Sequence, residues 1–121
     1  MRGMPGKSAK RGDIYSVHPH ATREPDAKST PRRMVCVAEQ PFDPYAWTAM
    51  ARTTTAPSSN DLHSPLQPEL GLTKEGWWSY RHLRSVKKQM TGDAHFCKFL
   101  ATLPEPLRSE VLDHYMSRPR I

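Results

Sequence analysis

The residues best equipped for chemistry lie in KSTPRRMVCVAEQPFDPYAWTAMARTTT, from Lys28 to Thr55. Arg32 and Arg33 stand immediately before an apolar run. After a Pro-rich connection, a second strand-like run ends in Arg52, Thr53, Thr54 and Thr55. Two strand ends of this composition gather guanidinium groups and hydroxyls, the donors that suit a phosphate, because a guanidinium holds two oxygens at once. Taken singly, each of these residues is as readily a solvated flank, and a threonine run also follows from β-propensity.

Histidine and cysteine offer other chemistries. His18 and His20 flank Pro19 without the further local ligands that a metal centre needs, so they read as solvent-facing loop residues and no metal or other cofactor is expected. His63 and His82 have the pKa range of an acid–base pair and fall near strand ends, but no spacing brings them together. Cys36 reads as a small core hydrophobe, since nothing beside it would depress its thiol pKa. With Cys97 it makes neither a CxxC motif nor a disulfide framework, which points to a reducing cytoplasm.

The elements that must position these groups are short. RGDIYSV, Arg11 to Val17, reads as a turn feeding a first strand, and the polar His18 to Pro31 stretch as a long functional or mobile loop. MVCVA, Met34 to Ala38, has the continuous apolar character of a strand buried on both faces. Trp47 to Arg52 alternates as a third strand, and Leu62 to Leu70, broken by Pro65 and Pro68, reads as an irregular edge strand. Trp77 to Val86 is aromatic and β-branched enough for one long strand or a bent pair, with Trp78, Tyr80, His82 and Arg84 on one face. Phe96, Phe99, Leu100 and Leu103 recur at helical spacing behind a capping Asp93. Leu107, Val111, Leu112 and Tyr115 form a second helical stripe after Pro104 and Pro106. Several strands followed by two helices predict a small barrel or α+β domain, mainly β.

Composition sets the bounds. A chain of 121 residues supports one modest core, here residues 11–121, with 1–10 expected to be a flexible basic arm. Eighteen Lys and Arg against 12 Asp and Glu give a formal charge of +6, which favours polyanionic partners, nucleic acid above all. Nothing approaches a membrane span, and the basic N-terminus lacks the apolar segment of a signal peptide.

From Arg11 to about Met116 the sequence resembles the MazF/PemK toxins of bacterial type II toxin-antitoxin modules. GLTKEGWWSYRHLRSV, Gly71 to Val86, is similar to the family's Gly-Leu, acidic residue, apolar strand and Gln-Ile-Arg-Thr-Val pattern. RGDIYSV resembles its first strand, and RMVCVAEQ, from Arg33, its Arg-Pro-Val-Leu-Val-Val run. The resemblance implies an SH3-like β-barrel with short C-terminal helices that forms a homodimer. It also implies sequence-selective, metal-independent cleavage of single-stranded RNA to a cyclic phosphate and a free 5′-hydroxyl, and neutralisation by an antitoxin with an acidic tail.

The family's catalytic arginine and threonine carry over to Arg33 and Thr53, and Arg32, Arg52, Thr54 and Lys28 become candidate RNA contacts. Met34 stands where the family has proline, and the nearest proline is Pro31. The frame that keeps RMVCVA in register selects Arg33, with Arg32 as the alternative, and Thr53 and Thr54 are not separated. Arginine stays protonated, so its roles would be charge stabilisation and proton donation to the leaving oxygen rather than those of a base. Two other readings remain: a non-catalytic barrel that binds nucleic acid or a protein partner, and, on fold likeness alone, a gyrase-poisoning toxin.

Overall fold

The computed structural model describes residues 9–22, 31–40, 45–55 and 58–118. Six antiparallel strands form one curled, half-barrel sheet: β1 (Asp13–Val17), β2 (Arg32–Glu39), β3 (Ala46–Thr53), β4 (Leu62–Ser64), β5 (Gly76–Lys87) and β6 (Cys97–Thr102), in the order β4-β5-β3-β2-β1-β6. One helix, α1 (Leu107–Met116), follows.

Both faces of the sheet bury apolar side chains, which is why MVCVA shows no alternation. Met34 and Cys36 join Tyr15, Val17, Trp47, Ala49, Ala51 and Val86 in one cluster. Val35 and Val37 join Ile14, Met50, Leu72, Trp78 and the α1 residues Val111 and Tyr115 in the other. Curling brings the two ends of the sheet together. Gly71, at φ 78° after a 3-10 turn over Pro68–Leu70, lies so close to β6 that a Cβ there would sit 3.1 Å from Leu100 Cδ1.

Two sequence expectations change. The helix expected over Phe96 to Leu103 is strand β6, so one C-terminal helix stands where two were expected. Asp93 does cap, its Oδ1 accepting the His95 and Phe96 amides at 2.8 and 3.2 Å, but it caps a turn. The chain then pairs with the edge of β1, from Val17–Cys97 to Asp13–Thr102. Satisfying that ladder outweighs a helical spacing carried by only four apolar residues.

The second change is in β5. Between the pairs Met50–Leu83 and Arg52–Trp78, β3 contributes one residue and β5 four, Ser79 to His82. This wide bulge breaks the alternation expected through Arg84, and Leu83 packs with Trp78 and Tyr80 in the same cluster. At the N-terminus, Ala9 is buried in the first cluster and the Lys10 amide binds Asp13, so order begins by residue 9; the arm expected over 1–10 otherwise lies outside the described residues. Among the described residues, no helix is long and apolar enough to cross a membrane.

Candidate anion-binding cleft

The β2–β3 ladder that sets Met34 opposite Ala51 carries Arg33 and Arg32 alongside Arg52 and Thr53 at its open end. A cleft of about 280 Å³ opens there, lined by Pro31, Arg32, Arg33, Arg52, Thr53, Thr54, Thr73 and Lys74. Four cationic side chains and three hydroxyls thus meet, with no carboxylate among the described lining residues. Five of the six site residues singled out from sequence converge here. The sixth, Lys28, lies outside the described residues.

The three arginines are held differently. Arg33, half-buried, donates from Nε to the Gly71 carbonyl at 3.0 Å, and its terminal nitrogens make no hydrogen bond among the described residues. Arg32 reaches the Arg52 carbonyl through Nη2 at 3.4 Å.

Arg52 is only 6% exposed. Its Nε donates to Ser64 Oγ at 2.9 Å, and its Nη2 to the carbonyls of Ser64 and Lys74 at 2.7 Å each, with Pro65 O at 3.4 Å. Burial lowers its pKa, and the neighbouring Arg33 charge lowers it further. Arg52 is therefore a clasp that ties β4 and the 71–75 turn to the end of β3, and the donors expected to contact RNA are spent on carbonyls.

Gly76 makes the clasp possible. A Cβ there would lie 2.7 Å from Thr53 O and 2.8 Å from Arg52 Cζ, closer than side-chain carbons approach. The strand end is closed by Thr53, whose Oγ1 accepts the Thr55 amide at 3.2 Å and lies 2.9 Å from Thr55 Oγ1. Thr54 is exposed on the rim.

Thr73 and Lys74 were missed by sequence reasoning. They lie in GLTKEG, just before β5, where the sequence reading singled out no binding residue. The Lys74 carbonyl is bound by Arg52, so the clasp also sets where the Lys74 side chain starts.

His63 and His82 are not brought together. His63 Nε2 lies 2.8 Å from Glu75 and its ring packs near Trp77. His82 sits in the β5 bulge, where burial, followed by the charges of Arg32, Arg81 and Arg84, lowers its pKa. Cys36 and Cys97 are buried free thiols, as expected of core residues, and burial raises the pKa of both, to about 12 for Cys97. Among the described residues no three His, Cys, Asp or Glu side chains are grouped to hold a metal ion.

Neither a protein-family model nor a curated protein matches the chain.

Proposed function

We propose that the chain is a metal-independent endoribonuclease of the MazF/PemK kind, the toxin of a type II toxin-antitoxin pair, acting on single-stranded RNA in the cytoplasm. The half-barrel is then the SH3-like barrel of that family. The observation that carries this reading is the cleft of about 280 Å³, without a carboxylate among its described lining residues, in which Arg32, Arg33 and Lys74 surround a space large enough for a phosphodiester beside three threonine hydroxyls.

In this reading the ribose 2′-oxygen attacks the adjacent phosphorus, the O2′–P bond forms and the P–O5′ bond breaks. Arg33 binds the non-bridging oxygens with its terminal nitrogens as negative charge builds, and Lys74 adds a second cation. Thr53, with Thr54 and Thr73, orients the phosphate by hydrogen bonds. No imidazole or carboxylate lines the cleft among the described residues, so solvent accepts the 2′-hydroxyl proton and returns one to the 5′-oxygen as it departs. The products are a 2′,3′-cyclic phosphate and a 5′-hydroxyl. A homodimer and an antitoxin with an acidic tail belong to the same proposal, the tail suited to the basic cleft.

The test is incubation of purified protein with a defined single-stranded RNA in EDTA, beside Arg33→Ala and Thr53→Ala variants. Arg33→Ala is expected to lose about 100-fold or more in rate, as when one donor to a developing oxyanion is removed. Cleavage that persists in Arg33→Ala overturns the assignment. Binding without cleavage by any preparation replaces it with a nucleic-acid-binding barrel.

A further inference from the structure

The stretch read from sequence as a solvent-facing loop is built. His18, extended at φ −76° and ψ 147°, accepts the His20 amide on Nδ1 at 3.1 Å, and a 3-10 turn over Pro19–Ala21 follows. The two imidazoles stack with centroids 5.0 Å apart and planes 8° from parallel. Both meet Phe96 edge-on, at 5.7 and 5.9 Å, and His95 approaches the same ring at 6.4 Å. His18 N–H binds Phe96 O at 2.8 Å, fixing the turn to the start of β6. A metal does not account for this arrangement, since His18 Nδ1 is already occupied and no ligand group is present among the described residues.

The cluster adjoins the cleft. Val17, directly before His18, pairs with Arg32 on one side and with Cys97, directly after Phe96, on the other. Neighbouring strands lie about 4.8 Å apart, so the ring cluster stands one strand from the cleft rim. One rung further along, Lys98, Ser16 and Arg33 stand opposite one another across β6, β1 and β2, on the face opposite to the one where Val17, Cys97 and Phe96 pack. Lys87 adds a charge, its Nζ 3.2 Å from His20 O. Asp93, in the turn before Phe96, has its Oδ1 held by the His95 and Phe96 amides.

We infer that His18, His20 and Phe96 form a stacking platform for a nucleobase of single-stranded RNA whose phosphate occupies the cleft. The inference rests on the proposal that the cleft binds RNA and adds to it the subsite that holds a flanking base. Exposed His20 is the face that receives the base. Its parallel partner His18 and edge-on Phe96 hold it in place beforehand, so little ordering accompanies binding. Lys98 and Lys87 follow the backbone as it leaves the cleft.

The experiment measures binding of a fluorescent single-stranded RNA carrying 2′-O-methyl ribose at each position, which lacks the attacking 2′-hydroxyl and cannot be cleaved, by anisotropy. His20→Ala is expected to weaken binding about tenfold, within the range for loss of one base stack, and His20→Phe to retain it. His20 is exposed and carries no core packing, so the fold survives either change. An abasic site walked along the RNA should reveal one position that costs the wild type the same factor and costs His20→Ala nothing. Unchanged binding in both His20→Ala and a His18→Ala/His20→Ala double variant, with binding lost in Arg33→Ala, overturns the platform and leaves the cleft standing. No RNA binding by the wild type overturns both.

Discussion

Arg52 and Arg33 stand side by side at the end of the β2–β3 ladder, yet their replacement should cost the fold very different amounts. Replacing Arg52 by methionine keeps an unbranched aliphatic stem but removes the guanidinium, whose Cζ lies 5.9 Å from the Trp78 ring centroid, and with it the donors to Ser64 Oγ, Ser64 O and Lys74 O, all at 2.9 Å or shorter. Hydrogen bonds from a charged group contribute about 1.5–3 kcal/mol each before the cost of burying the charge is subtracted. Here that cost is real, because burial and the Arg33 charge both lower the Arg52 pKa. A net loss of about 3 kcal/mol follows for Arg52→Met, or roughly 10 °C in Tm for a domain of this size. Arg33→Ala gives up one bond in a half-buried setting and should cost about 1 kcal/mol. Urea melts of both variants, followed by tryptophan fluorescence, measure the difference. An Arg52→Met protein within about 0.5 kcal/mol of wild type would refute the clasp, because surface changes alone fall in that range. It would return Arg52 to the ligand-contacting groups.

Three further outcomes are expected. Gly76→Ala must move Thr53 O or Arg52 Cζ and should cost about 1–3 kcal/mol, read as a lower urea midpoint. The Asp61 carboxyl, whose side chain is 1% exposed, is raised in pKa by burial but lowered on balance by hydrogen bonds from Arg81 and the Ser58 amide. Its contribution to stability is therefore full above the unfolded value near 3.8 and is lost as pH falls through the lower folded value; Asp61→Asn should flatten the acid limb of a Tm–pH curve, and an unchanged limb would count against the pairing. Cys36 and Cys97, 2% and 0% exposed with raised pKa values, should react with a disulfide reagent at pH 8 about 100-fold more slowly in native protein than in urea, and fast native labelling would contradict their burial.

The strands around the cleft were legible because their chemistry is local. Arg32 and Arg33 open β2, and Arg52 and Thr53 close β3, so an antiparallel pairing of the two runs was enough to bring them together. The role of Arg52 was hidden because its partners are carbonyls 12 to 22 residues away, and a carbonyl carries no signature in sequence. Thr73 and Lys74 were hidden for the same reason, since the Arg33 and Arg52 bonds fold their turn over the cleft. Strand β6 escaped because four apolar residues fit a helical period, while the requirement to cover the β1 edge lies at the other end of the chain. The histidine platform depends on Phe96, which pattern had assigned to that helix.

The same β1–β6 pairing has a consequence for synthesis. The first strand lies between β2 and β6, and the Thr102 hydroxyl donates to the Asp13 carboxylate at 2.7 Å across a separation of 89 residues. A nascent chain can zip β2, β3 and β5 together as they emerge, but one flank of β1 stays open until Cys97–Thr102 has been made. Closure of so long a loop is entropically slow. The complete sheet should consequently appear in one late step after β6 has emerged, leaving an interval in which the growing polypeptide lacks its sixth strand.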